Sequence, residues 1–311
     1  MVFDVSRIGA MAARSLLVAS LALVGWMCSM PMAMSQPNAA QTWRDQQLAQ
    51  AWATASLQHS PREHQWVTLV LGGRTMKAFV TFPQGRPKGP AVLVLHEVFG
   101  LTDSTLATAD RIAAVGHVTV APDMLSGFAP DGGGTSAFPT SRIAGDFMTV
   151  LPDETVNANL AAWSDYAAKL PGADGKVAMV GLSWGGGAAF RYAASQGHHA
   201  NLRGVFVFYD VGPPATTQGP GKAGTIAPMT VDAIDVPVYG FYPAQDVRVM
   251  KSLAQTKVAM AAARKTFDPV GYEKAEHAFM RLSADRADRN PANAEALQAS
   301  LVRLAALLDG L

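Results

Sequence analysis

The sequence holds a single cysteine, Cys28, among 311 residues, which excludes an intrachain disulfide and a cysteine-built metal site. Neither sign of charge dominates. With 25 Lys and Arg against 24 Asp and Glu, and no long basic run, the chain has no means of neutralising a phosphate backbone, so nucleic acid is not an expected partner. The apolar run from Leu16 to Met27 covers 12 residues, short of the ~20 a helix needs to span a bilayer. Three common motifs are missing as well. There is no His-Glu-x-x-His metal element. The pair Gly221-Lys222 is followed by Ala223, so it is not a phosphate loop, and Gly132-Gly133-Gly134 follows no strand, as a dinucleotide site would require.

The N-terminal segment reads as an export signal over residues 1–35. Arg7 and Arg14 precede the apolar run, and Ala33 and Ser35 stand at cleavage-like spacing before Gln36. Cleavage there removes Cys28, leaves no thiol in the mature chain and retains no membrane anchor. The expected location is therefore periplasmic or secreted. Residues 36–65 read as a polar arm with one helix from Thr42 to Leu57, and residues 66–311 as the folded domain.

In that domain, Val67 to Leu71 and Met76 to Phe82 flank Gly72-Gly73 as a hairpin. Strand and helix patterns then alternate. Short apolar strands are expected at Ala91–Leu95, His117–Ala121, Lys176–Val180, Gly204–Tyr209, Val236–Phe241 and Thr266–Tyr272. Helices are expected at Ser104–Val115, Asn157–Lys169, Trp184–Ser195, Val247–Ala263 and Pro291–Leu308. Leu125 to Leu151 and Gly212 to Met229 read as long irregular loops. The alternation specifies an α/β fold, a mostly parallel sheet with helices on both faces.

Chemistry concentrates at Gly181-Leu182-Ser183-Trp184-Gly185-Gly186, a strand-turn-helix context. Glycines at both ends let the chain turn sharply and expose a serine hydroxyl at a helix N-terminus, the arrangement of a nucleophile elbow. Such a serine needs a base. Of seven histidines, His277 alone follows both the nucleophile and the last strand, where hydrolases of this order carry it. An acid between the two would fix the imidazole tautomer. Asp246, after the strand Val236–Phe241, is the first candidate, and Asp210, after the preceding strand, is its rival. The turn after the first alternating strand, Leu95-His96-Glu97-Val98, would supply a second oxyanion N–H from Val98 beside that of Trp184.

Taken together, His96-Glu97-Val98-Phe99-Gly100-Leu101, the Gly-x-Ser-x-Gly-Gly elbow, Asp246-Val247 and His277-Ala278-Phe279 resemble the dienelactone hydrolase family over nearly all of residues 66–311. The resemblance implies an α/β-hydrolase fold without a large cap domain, no metal or other cofactor, and action on lactones or small carboxylic esters; a monomer is expected. It implies Ser183 as nucleophile, His277 as base, Asp246 as orienting acid and Glu97 as the carboxylate beside the nucleophile. It also implies Arg281, with Arg142 as a looser match, as arginines that hold a substrate carboxylate. Three positions depart from the pattern. Serine replaces the usual cysteine, which favours general carboxylesterase activity; the loop Gly212–Met229 is unusually long; and Asp210 stands where a small residue is common. A non-catalytic binding protein, an acyltransferase and a polyester hydrolase are the alternatives on the same fold.

Overall fold

The computed structural model describes residues 50–85, 89–195, 200–213, 217–218, 225–226, 229–285 and 288–311. Residues 1–35, read from the sequence as an export signal, residues 36–49 of the arm, and His198-His199 lie outside the described residues. In chain order the elements are α1 (Ala51–Gln58), β1 (Glu63–Leu71), β2 (Arg74–Phe82), β3 (Ala91–Leu95), α2 (Asp103–Ala113), β4 (Thr119–Pro122), α3 (Ser141–Met148) and α4 (Asp153–Ala167). There follow β5 (Val177–Leu182), α5 (Trp184–Ala194), β6 (Leu202–Phe208), β7 (Thr217–Gln218), β8 (Thr225–Ile226), β9 (Val238–Pro243), α6 (Val247–Ala262), β10 (Phe267–Tyr272), α7 (Phe279–Leu282) and α8 (Pro291–Leu308).

Eight strands form one sheet in the order β1-β2-β4-β3-β5-β6-β9-β10. β1 pairs antiparallel with β2 and β2 with β4, while every pairing from β4 through β10 is parallel. The central strands are apolar throughout because both of their faces are covered. Side chains alternate between the two faces with period two. Ala91, Leu93, Leu95, Val177 and Met179 join Leu160 and Trp163 of α4 and Phe190 of α5 in one core layer. Val92, Val94, Ala178, Val180, Phe206 and Phe208 join Leu106 and Ile112 of α2 and Leu304 and Leu308 of α8 in the other. Truncating a fully buried leucine such as Leu93 to alanine would cost about 2–5 kcal/mol.

The connections also determine where a ligand can sit. From β3 the chain passes to β4 on one side and only later returns, through α3 and α4, to β5 on the other. A crevice opens beyond the carboxyl ends of the strands at such a reversal. Ser183 follows β5 and Glu97 follows β3, so both stand at its edge.

Several stretches differ from the expectation, among them the short α7, which none of the expected helices covers. Leu125–Leu151 is not wholly irregular, because α3 forms within it. Thr140 caps that helix by accepting from the Ile143 N–H at 3.2 Å, and Ala144 and Met148, four residues apart, bury one face. In the arm, α1 agrees with the expected helix and ends one residue later, but β1 begins at Glu63, inside the arm, rather than at Val67. The buried Asp110 of α2 draws the arm in, accepting from Ser60 Oγ (2.6 Å), Arg62 Nε (2.9 Å) and His64 Nε2 (2.8 Å). Within Gly212–Met229, β7 and β8 pair as a short antiparallel ribbon.

Candidate active site

Ser183 has φ 49° and ψ −121°, a left-handed conformation that an L-residue adopts only under constraint. Packing supplies the constraint. A Cβ on Gly181 would lie 2.1 Å from the Gly185 carbonyl oxygen, and one on Gly185 would lie 2.5 Å and 2.7 Å from the carbonyl oxygens of Leu95 and His96. Only glycine at both positions lets the chain reverse this tightly and lets the start of α5 rest on the chain leaving β3. The Ser183 N–H donates to the Phe208 carbonyl at 3.0 Å and so ties the elbow to β6.

From this elbow Ser183 Oγ reaches His277 Nε2 at 2.9 Å. On the far side of the ring, His277 Nδ1 donates to Asp246 Oδ2 at 2.6 Å. The other oxygen of Asp246 accepts from the Val249 N–H at 3.0 Å and caps α6. Burial pushes the Asp246 carboxyl up, but the bonds from His277 and Val249 and the charges of His277 and Arg248 outweigh it and hold the group below the usual range. Asp246 is therefore an anion against the imidazole. Asp210 makes no bond to His277; it pairs with Arg248 Nη1 at 3.3 Å, and burial raises its carboxyl despite that partner. Gly187 leaves the room Asp210 occupies, since a Cβ there would lie 2.5 Å from Asp210 Oδ2.

Glu97 is buried next to this chain of bonds. Its Oε2 accepts from Arg281 Nε at 3.1 Å and its Oε1 from the Tyr209 hydroxyl at 3.3 Å. Tyr209 was not singled out from the sequence. It is fully buried, has φ 45°, and sets its ring edge-on to His277 with centroids 5.1 Å apart. Burial, reinforced by the Glu97 charge, raises its phenol well above the ordinary value, so it stays a donor. The sequence places Tyr209 as the last residue of the strand, whereas β6 ends at Phe208 and Tyr209 turns left-handed just beyond it. Arg281 is thus joined to the site through Glu97. Arg142 is not brought to it: its side chain is 65% exposed on α3 and pairs with Asp146 one turn on, at 3.6 Å.

Val98 follows Glu97, and Trp184 is the first residue of α5, so its N–H has no partner within the helix. Among the described residues neither the Val98 nor the Trp184 N–H is bonded to an acceptor. A strained serine bonded to an imidazole, an anion behind that imidazole and two spare N–H donors can together carry acyl transfer. No group of three or more His, Cys, Asp or Glu among the described residues is arranged to share a metal ion.

Residues 76–308 match the family model described as the dienelactone hydrolase family. The chain belongs to the dienelactone hydrolase family. As a member it is an enzyme that hydrolyses carboxylic esters or lactones. It is 26% identical over 219 residues to a candidate carboxymethylenebutenolidase of Yersinia pestis, a match covering 68% of this chain and 77% of that one. Among solved structures, a candidate dienelactone hydrolase from Klebsiella pneumoniae superposes with a TM-score of 0.62 at 24% identity, covering 78% of this chain and 97% of that chain. An esterase from Pyrobaculum calidifontis gives a TM-score of 0.60 at 19% identity, covering 88% and 94%. These superpositions show a shared fold.

Proposed function

We propose that this dienelactone hydrolase relative is a serine-dependent carboxylesterase that works through an acyl-enzyme. Ser183 Oγ attacks the ester carbonyl while His277 Nε2 takes its proton, and the developing oxyanion is held by the N–H groups of Val98 and Trp184. His277 then gives that proton to the departing alcohol, leaving the acyl group on Ser183. Water attacks this second ester as His277 takes one of its protons; the Oγ–acyl bond then breaks, His277 passes that proton to Ser183 Oγ, and the acid leaves. Asp246 keeps the imidazole in the tautomer that accepts at Nε2 and stabilises the imidazolium. The observation that carries the reading is the unbroken series Ser183 Oγ, His277 Nε2, His277 Nδ1, Asp246 Oδ2, with bonds of 2.9 Å and 2.6 Å.

The substrate class follows from the cations. Arg281 gives its Nε–H to Glu97 and Arg142 pairs with Asp146, so both positive charges are already countered, which supports uncharged esters or lactones over substrates bearing a free carboxylate. The Arg7–Arg14, Leu16–Met27 and Ala33–Ser35 pattern supports export with cleavage near Gln36. The test of mechanism is labelling by a fluorophosphonate with mass mapping of the adduct. A single adduct on Ser183 with loss of ester hydrolysis is expected, and activity surviving full labelling contradicts the reading. Competing alcohols in the same assay separate hydrolysis from acyl transfer.

A further inference from the structure

His96 lies at the end of β3, fully buried, and takes no part in the proton relay. Its Nδ1 stands 2.7 Å from the carbonyl oxygen of Glu97, and its Nε2 stands 3.2 Å from the Met124 N–H. These partners define the tautomer, because a carbonyl accepts only and an amide N–H donates only. The ring is therefore neutral, with its proton on Nδ1, and burial lowers its proton affinity further.

The bond to Glu97 has a consequence for the neighbouring residue. The Glu97 carbonyl and the Val98 N–H belong to one planar trans peptide and point in opposite directions. Fixing the carbonyl on His96, with a second donor from the Gly100 N–H at 3.2 Å, fixes the direction of the Val98 N–H. Hydrogen bonds received by a carbonyl also polarise its peptide and strengthen the opposite N–H as a donor. The same imidazole lies parallel to the indole of Trp184, with centroids 5.9 Å apart and planes 17° from parallel. Trp184 carries the other spare N–H.

We infer that His96 is the positioning residue of the oxyanion site, orienting the Glu97–Val98 peptide by hydrogen bonding and bracing Trp184 by stacking. It touches neither substrate nor reacting atoms. It acts through Val98 and Trp184, and the inference rests on the serine-esterase reading given above. A preset donor gains more against the transition state than against the ground state, so its loss should lower kcat and leave KM almost unmoved.

The test uses His96→Leu and His96→Gln in the mature chain. kcat is measured per active site titrated with a fluorophosphonate, alongside KM and the inhibition constant of a boronic acid, which forms a tetrahedral adduct on serine. For His96→Leu, kcat should fall about 10- to 100-fold, less than outright loss of an oxyanion donor, with boronate affinity weakening in step and KM nearly constant. Glutamine can donate to the Glu97 carbonyl and accept from Met124, so His96→Gln should recover most of that loss. Unchanged kcat per titrated site in His96→Leu overturns the inference, as does a loss carried by KM with boronate affinity intact. Should the leucine variant not fold, His96→Asn, whose amide is too short to span both partners, replaces it with the same two readings. A wild-type enzyme that neither titrates nor binds boronate at Ser183 overturns the serine reading itself, whereas normal titration with a fully active leucine variant removes only the role of His96.

Discussion

Asp246 divides its two oxygens between His277 and the first turn of α6: Oδ2 takes the imidazole Nδ1–H at 2.6 Å and Oδ1 takes the Val249 N–H at 3.0 Å. One carboxylate thus fixes the start of a helix and the orientation of the base. Because the helix cap is rigid, the imidazole is aimed by the backbone rather than by a freely rotating side chain.

Asp246→Asn and Asp210→Asn should therefore differ sharply. Asparagine caps a helix as well as aspartate does, so Asp246→Asn should stay folded yet lose on the order of 10⁴-fold in kcat through the wrong tautomer. Asp210→Asn should turn over ester near the wild-type rate. The Asp210 carboxyl has its pKa raised in the fold, so its contribution to stability is present below the unfolded value and is lost as pH rises through the folded one. Removing the charge should leave Asp210→Asn at least as stable as wild type at pH 8, measured as Tm. Equal kcat losses in the two variants would remove the distinction between these carboxylates.

The arm should matter for acid stability. Burial pushes the Asp110 carboxyl up, but bonds from Arg62, Ser60 and His64 outweigh it and leave the group below the usual range. A depressed folded pKa contributes stability that is present above the unfolded value of about 3.9 and is lost as pH falls through the folded value. Asp110→Asn should destabilise the protein by about 2–4 kcal/mol at pH 7, since it leaves Arg62 without its counter-charge, and should flatten the acid limb of a Tm-against-pH curve. An unaltered acid limb would show that this cluster does not link arm to domain energetically.

Gly185→Ala probes the elbow. The added Cβ must move away from two backbone carbonyls at 2.5 Å and 2.7 Å, and neither can rotate aside. Displacement of the site by ~1 Å should cost about 10²-fold in kcat, with a lowered Tm. Full activity per titrated site would contradict the packing argument.

Substrate charge gives a separate check. With Arg281 tied to Glu97 and Arg142 exposed beside Asp146, an uncharged ester should show the higher kcat/KM against a matched ester carrying a free carboxylate, and Arg142→Ala should alter neither. A preference for the carboxylate that disappears in Arg281→Ala would reverse this assignment of substrate class.

What the sequence made legible is what local chemistry dictates. β3, β5 and β6 read correctly as short apolar runs because both their faces are buried, and α8 was bounded as observed because Pro291 starts it. The elbow was readable because Gly181 and Gly185 answer steric demands within a few residues of Ser183. The unread parts depend on distant partners. α3 lies in a stretch dense in glycine and proline, and its helix rests on the Thr140 cap and on burial of Ala144 and Met148. The arm is held by Asp110, some 50 residues away in sequence. No pattern announces that Tyr209 turns left-handed to reach Glu97, or that the Arg281 and Arg142 guanidinium groups already face carboxylates.

Whether Ser183 is the nucleophile is decided by steady-state turnover of a p-nitrophenyl ester by Ser183→Ala. In that variant kcat should fall by at least about 10³-fold with Tm unchanged. Turnover at the wild-type rate would contradict that role.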